Sequence, residues 1–155
     1  MIFVVTGTHE QPFDRLLRAV DGLATAEQRV VQVGNCSYAP QNCDVHEFLA
    51  FDAVQQLMRE ADVVITHAGT GSAMLALSVG KLPVVAPRYA CHGEHIDDHQ
   101  LQLVNALVGD GMAVPYLDGD DLEARIEAAR AADAGRRAIQ PDRALLDALR
   151  GMVDA

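Results

Sequence analysis

Short apolar runs alternate with amphipathic stretches along this chain of 155 residues. Four runs bounded by glycine, proline or polar residues predict buried strands, at 2–6, 29–33, 62–66 and 82–87. After the first run, apolar residues from Phe13 to Leu23 recur at helical spacing, and Pro12 suits the first turn of that helix. Weaker patterns predict two further strands near 46–51 and 112–116, after a loop over 34–45.

Helices are predicted between these strands, near 53–61, after a glycine-rich turn at 67–72, and near 97–109, 119–132 and 141–153. The alternation indicates an α/β fold, a Rossmann-like three-layer parallel sheet, formed by a single domain over 1–155. For six strands the default order is 3-2-1-4-5-6, which makes strands one and four neighbours at the switch point. Because ligands bind outside the carboxyl ends of strands there, we expect a site between the loops that follow these two strands.

Charge and composition exclude several function classes. The net charge of −10 argues against binding to nucleic acid or to anionic lipid, which uses a basic surface. No apolar run reaches the roughly 18 residues of a membrane span, and the first residues carry no basic segment typical of a secretory signal. Three cysteines imply no disulfide framework, so we expect a cytoplasmic protein.

The loop HAGTGS, from His67 to Ser72, has the composition of a phosphate-binding turn. Its two glycines allow the backbone to approach a ligand closely, and the helix that follows presents free N–H groups and a positive dipole end. The alternative is a plain strand-to-helix turn with a capping hydroxyl. Neither the dinucleotide fingerprint nor the P-loop sequence occurs in the chain.

The segment 92–100, HGEHIDDHQ, leaves the fifth predicted strand beside the same crevice. Its carboxylate and amide groups match sugar hydroxyls, and Arg88 could balance the charge of a nearby phosphate. A solvated loop with Asp97 as helix N-cap is the alternative. The histidines of this edge match no zinc signature, and Cys36, Cys43 and His46 form only a loose cluster, so we expect no metal and no cofactor.

Three motifs together resemble a known family. HAGTGS, GKLPVVAPR and GEHIDDHQLQL resemble the C-terminal, donor-binding domain of glycosyltransferase family 28, which has the GT-B fold. The opening VTGTHEQPFDRLL resembles the start of a stand-alone form of that domain. Such forms are similar to catalytic subunits of two-part transferases of bacterial exopolysaccharide synthesis and of dolichol-linked oligosaccharide synthesis. The resemblance covers about residues 1–115.

The resemblance implies an enzyme that transfers a sugar from a UDP-sugar, with inversion, to a lipid-linked acceptor. Gly69 to Ser72 would hold the diphosphate, and the loop after the first strand would face phosphate and sugar. The turn near Ala50 and Phe51 would border the uracil through backbone groups. The candidate donor-binding residues are Gly7, Thr8, Phe51, His67, Gly69, Thr70, Gly71, Ser72, Arg88, His95, His99 and Gln100. Relatives carry a ribose-binding glutamate where this chain has Leu75.

A GT-B enzyme binds its acceptor in a second domain, which implies a membrane-anchored partner subunit that recruits this chain to the inner face of the membrane. His9 and Glu94 are the candidate catalytic bases in this chain, and the partner is the other source of a base. The apolar stripe from Leu145 to Val153 in the last predicted helix could dock on that partner or pack on its own sheet. Two other functions stay open: a nucleotide-sugar epimerase or hydrolase that is complete as a homodimer, and a non-enzymatic nucleotide-sugar-binding module.

Overall fold

The computed structural model describes residues 1–134, and the helix predicted at 141–153 lies outside these residues. Six strands form one parallel sheet in the order β3-β2-β1-β4-β5-β6, which confirms the predicted order. The strands are β1 (Ile2–Val5), β2 (Arg29–Gln32), β3 (Asp44–His46), β4 (Val63–His67), β5 (Val84–Ala86) and β6 (Val114–Pro115). The helices are α1 (Asp14–Asp21), α2 (Phe51–Glu60), α3 (Thr70–Ser78), α4 (His99–Gly109) and α5 (Leu122–Asp133), with a short 3-10 helix at Ala90–His92.

Helices cover both faces of the sheet and make three layers. One face packs side chains of α1 and α5 against alternate residues of the strands, including Ile2 and Val4. The other face packs α2 and α3 against Phe3 and Val5, and α3 and α4 against Val85. Because side chains alternate between the faces, β1 is buried throughout, which explains why the sequence shows an uninterrupted apolar run there.

Three predicted boundaries are wrong. The third strand is Asp44–His46 rather than 46–51, because this edge strand is held by backbone bonds to β2 and needs no apolar run. Helix α3 already begins at Thr70, so the predicted turn contributes the first turn of the helix. The N-cap of α4 is Asp98 rather than Asp97, whose Oδ1 instead accepts a hydrogen bond from the amide of His99.

The loop after β2 supports the loop after β1. The side chain of Asn35 donates to the carbonyls of Thr8 and His9, at 3.3 and 3.1 Å from Nδ2. The same loop is fixed to α1 by Asp21, whose carboxylate accepts hydrogen bonds from the Tyr38 hydroxyl and from the amides of residues 41 and 42. The hydrogen bond from Tyr38 contributes most to lowering the pKa of Asp21 to about 2. The loop after β2 therefore connects the loop after β1 to helix α1.

Within residues 1–134, no helix has both the length and the apolar composition required to cross a bilayer.

Candidate functional site

A cavity of about 340 Å³ opens at the carboxyl ends of β1 and β4, where the strand order predicted a site. We call it the first cavity. Its lining residues are Val5, Gly7, Thr8, Gln32, His67, Gly69, Thr70, Gly71 and Ser72. The structure therefore brings the two predicted loops together around one space.

The N-terminus of α3 faces this cavity. Gly69 is the N-cap, with an extended backbone, and provides no side-chain cap for the helix. The first backbone N–H groups of a helix have no partner within the helix, and they carry the positive end of its dipole. Since Thr70, Gly71 and Ser72 line the cavity, this helix start is suited to a phosphate group.

The imidazole of His67 lies between the two loops. A Cβ added to Gly7 would come within 2.6 Å of its Cε1 atom, which leaves no space for a side chain. Gly7 also has a φ of +84°, a backbone conformation that other residues rarely adopt. The Nδ1 atom of His67 is buried and has no hydrogen-bond partner in the structure. Burial, followed by the charge of Arg88, lowers the pKa of His67 to about 3, so the ring is neutral at pH 7.

A second cavity of about 540 Å³ adjoins the first, and Thr8 and His67 line both. Its lining residues are Thr8, His9, Glu10, Gln11, His67, Ile96 and Gln100. The rings of His9 and His95 stack beside it, with centroids 4.6 Å apart. This contact joins the loop after β1 to the polar segment that was predicted to meet the sugar.

One hydrogen bond fixes the tautomer of His9. The amide of Gln11 donates to Nδ1 of His9 at 3.1 Å, so the neutral ring carries its hydrogen on Nε2. Burial, then the positive charge of Arg88 and the ring of His95, lower the pKa of His9 and favour this neutral form. His9 is thus arranged to donate a hydrogen bond from Nε2.

Glu94 occupies a different position from that expected of a catalytic base. Its side chain is buried and paired with Arg15, with 2.9 Å between Oε1 and Nε. The other carboxylate oxygen accepts hydrogen bonds from Nη2 of Arg15 and from the amide of Tyr89. Both oxygens are occupied, and Glu94 lines neither cavity.

Arg88 was expected to bind the donor and balance the charge of a phosphate, and its guanidinium is buried between the loop after β1 and the segment after β5. The residue is 1% exposed and lines neither cavity. Its two terminal nitrogens donate to the carbonyls of Thr6, Gln11 and Glu94, at 2.7, 2.6 and 3.0 Å. In this position Arg88 holds loops together instead of presenting its donors to a ligand.

The other predicted residues divide between the cavity and its surroundings. Gln100 lines the second cavity and accepts a hydrogen bond from the amide of Arg88 through Oε1. The side chain of His99 is 74% exposed, with Nδ1 3.1 Å from Oδ2 of Asp97, and lies outside both linings. The Phe51 side chain is buried in the cluster that contains Leu75, so neither side chain reaches the first cavity.

Sequence reasoning missed Gln32, Gln11 and Ile96. Gln32 is a polar residue at the end of a buried strand, directly beside Val5 of β1, and that placement was the available signal. Ile96 is 80% exposed at the rim of the second cavity. In the part of the chain that the structure describes, no group of three or more histidine, cysteine or carboxylate side chains is placed to hold a metal ion.

Comparison with known proteins agrees with the fold and the motifs. Residues 1–144 match the glycosyltransferase family 28 C-terminal domain. A curated human relative, UDP-N-acetylglucosamine transferase subunit ALG13, is 30% identical over 125 residues, which covers 71% of this chain and 10% of that protein. The chain thus spans about a tenth of the length of this relative.

Two solved structures share the fold. The glycotransferase of kitacinnamycin superposes with a TM-score of 0.60 at 21% identity, over 99% of this chain and 39% of that one. The glycosyltransferase SnogD from Streptomyces nogalater has a TM-score of 0.51 at 20% identity, over 97% of this chain and 44% of that one. Both likenesses show the Rossmann-like half of a GT-B protein.

Proposed function

This chain belongs to the glycosyltransferase family 28 C-terminal domains, and we propose that it is the donor-binding, catalytic subunit of a two-component inverting glycosyltransferase. The donor is a UDP-sugar and the acceptor a lipid-linked sugar, as in exopolysaccharide or other glycan synthesis. The observation that carries the proposal is the convergence of the α3 N-terminus and the loop after β1 on one cavity, with neutral His67 between them. The human relative, a UDP-N-acetylglucosamine transferase subunit, supports both the donor class and the existence of a partner.

In this proposal the diphosphate lies on the start of α3. The acceptor hydroxyl attacks the anomeric carbon, the bond from that carbon to the diphosphate oxygen breaks, and UDP leaves with the electron pair. Negative charge therefore grows on the diphosphate, where the backbone N–H groups of Thr70 to Ser72 and the dipole of α3 stabilise it. The Nε2 hydrogen of His9 is a further donor at the edge of the second cavity. These groups supply electrostatic stabilisation without a metal ion.

The acceptor hydroxyl must also lose a proton to a base. The tautomer of His9 leaves no free lone pair on Nε2, and both oxygens of Glu94 are occupied by Arg15 and Tyr89. These contacts favour a base supplied by the partner subunit. The same contacts favour the hypothesis of a two-component enzyme over that of a self-sufficient homodimeric epimerase or hydrolase.

A lipid-linked acceptor lies at a membrane, and a net charge of −10 opposes direct attraction to anionic lipid. We therefore assign the membrane anchor and the acceptor site to the partner, with this chain recruited from the cytoplasm to the inner face of the membrane. Leu75 leaves the ribose without the family's usual glutamate, so the choice of uridine rests on other groups around the first cavity.

The test combines binding with transfer. The purified chain is titrated with UDP, GDP and UDP-sugars by calorimetry, with Gly71→Val as a variant that obstructs the α3 N-terminus. Transfer from a labelled UDP-sugar to lipid-linked acceptor is then measured with and without membranes containing the partner. We expect UDP binding by the chain alone and transfer only with the partner.

Each of the remaining outcomes would favour a different function or refute the site. Hydrolysis or epimerisation by the purified chain would indicate a self-sufficient homodimer. Tight binding without transfer, even with the partner present, would indicate a binding module. Absence of UDP binding, or unchanged affinity in folded Gly71→Val, would overturn the proposed site.

A further inference from the structure

Arg88 is a buried arginine that the proposed chemistry does not use. Its guanidinium donates to carbonyls from two separate loops: Thr6 and Gln11 flank the turn after β1, whereas Glu94 belongs to the segment after β5. Its own amide donates to Oε1 of Gln100, which lines the second cavity. Arg88 thus connects the loop after β1 to the segment after β5.

The charge of Arg88 has no direct counterion among the described residues. The carboxylate of Glu94 pairs with Arg15, and no ion pair in residues 1–134 includes Arg88. All three partners of its guanidinium are neutral carbonyl groups. Burial lowers the pKa of Arg88 and the nearby charge of Glu94 partly opposes this, but that carboxylate is itself paired with Arg15, so the field of Arg88 extends into the neighbouring cavities.

The charge of Arg88 acts on two histidines that line the cavities. The positive charge of Arg88 contributes to lowering the pKa of His67, which lines both cavities, and of His9, which lines the second. In both cases burial is the larger cause. The hydrogen bonds of Arg88 to the carbonyls of Thr6 and Gln11 place its charge close to the crevice, although its side chain lines neither cavity.

We propose that Arg88 is the positioning residue of the crevice, which holds the loop after β1 against the segment after β5 and stabilises a bound diphosphate by charge without touching it. This inference rests on the proposed function, because it requires an anionic ligand in the first cavity. It reassigns Arg88 from a phosphate ligand to a fixed positive charge behind the binding loops.

The chain contains a matched control. Arg29 is also a buried arginine, 8% exposed, and its Nη1 atom donates to the carbonyls of Val20, Asp21 and Leu23. It lies at the amino end of β2, beside Ile2, whereas Arg88 follows the carboxyl end of β5. Replacing Arg29 removes the same kind of buried network at the opposite end of the sheet.

The experiment measures the affinities of UDP and of neutral uridine by NMR titration for Arg88→Lys, Arg88→Met and Arg29→Met. We expect Arg88→Met to weaken UDP binding about 10-fold or more while changing uridine binding less than about threefold, because only UDP carries the charge that Arg88 stabilises. Arg88→Lys, which keeps the charge, is expected to recover most of the UDP affinity. Arg29→Met is expected to lower the melting temperature and to leave both affinities unchanged.

Several results would overturn the inference. Wild-type UDP affinity in folded Arg88→Met, equal losses for UDP and uridine, or no recovery in Arg88→Lys would each do so. If Arg88→Met does not fold, Arg88→Gln provides the uncharged side chain with a donor for one carbonyl, and the same comparison applies. Failure of the wild-type protein to bind UDP would instead refute the proposed function, so the two failures are distinguishable.

Discussion

The imidazole of His67 fills the space that a side chain at Gly69 would require, because a Cβ built on Gly69 would overlap Nε2 of that ring. The two residues are separated only by Ala68, so the chain turns sharply from the end of β4 into α3. The ring and the helix start consequently meet in the same cavity wall. The geometry of the proposed diphosphate site depends on this contact.

Gly69→Ala should therefore displace His67 and weaken UDP binding by about 10-fold or more, which corresponds to about 1.4 kcal/mol. Calorimetry with UDP measures the effect. Gly109→Ala is the matched control, since nothing lies within 4 Å of a Cβ at this helical position. We expect the control to keep its UDP affinity and to gain up to about 1 kcal/mol of stability. An equally tight complex with Gly69→Ala would contradict the assignment.

The stability of the fold should depend on pH through His67. Its pKa is about 3 in the folded protein, whereas an unfolded histidine titrates near 6.5. Below pH 6.5 the unfolded chain binds a proton that the folded chain does not, so this contribution is complete above pH 6.5 and is lost as the pH falls toward 3. The lowered pKa of His9 acts in the same direction.

Urea unfolding between pH 7.5 and 4.5 measures this dependence. The limiting slope for one histidine is about 1.4 kcal/mol per pH unit. Asp21, with a pKa of about 2, loses its contribution mainly below its unfolded value of 3.8, so it adds little to the slope within this range. His67→Gln should show a smaller slope than the wild type, and identical slopes would show that His67 does not carry the effect.

Two substitutions separate a donor role from a base role for His9. Glutamine places an N–H near the position of Nε2, whereas asparagine places an acceptor near the position of Nδ1. If the Nε2 hydrogen is the functional group, His9→Gln should lose less than about 10-fold in transfer with the partner present, and His9→Asn should lose more. A general base would lose about 100-fold to 10,000-fold in both variants, so two such losses would restore His9 as the base.

The segment at 92–100 should recognise the sugar rather than the nucleotide. Gln100 lines the second cavity, whereas His99 is largely exposed and paired with Asp97. Gln100→Ala should weaken UDP-sugar binding more than UDP binding, and His99→Ala should have the smaller effect of the two. Competition titrations with both ligands provide the measurement. Equal losses for UDP and UDP-sugar in Gln100→Ala would place this residue outside the sugar site.

The sequence was sufficient for the sheet because β1, β2, β4 and β5 are buried strands that each contain consecutive apolar residues. Residue patterns failed where the backbone alone defines an element. The edge strand β3 contains only one apolar residue, Val45, and its side chain is exposed. Helix α3 begins at Thr70, with Gly69 as an extended N-cap and Gly71 inside the first turn, although glycine usually indicates a turn.

In the candidate site, too, the sequence predicts some features and not others. Strand order alone brought Gly7 and Gly69 to one cavity, since parallel strands end at the same edge. Arg88 and Glu94 line neither cavity, which the sequence does not reveal because it does not show which charged side chains are buried. Burial depends on distant partners, here Thr6 and Arg15, which lie about 80 residues earlier in the chain.

The position of β1 at the centre of the sheet has a consequence for biosynthesis. Its partners are β2 and β4, and the register pairs Ile2 with Val63. While the chain emerges from the ribosome, one edge of this apolar strand has no native partner until more than 60 further residues have been added. The nascent chain therefore carries an exposed, aggregation-prone strand edge during that interval. Helix α2, which contains charged residues, is synthesised before β4 pairs with this edge. Expression at lower temperature should consequently raise the yield of folded protein.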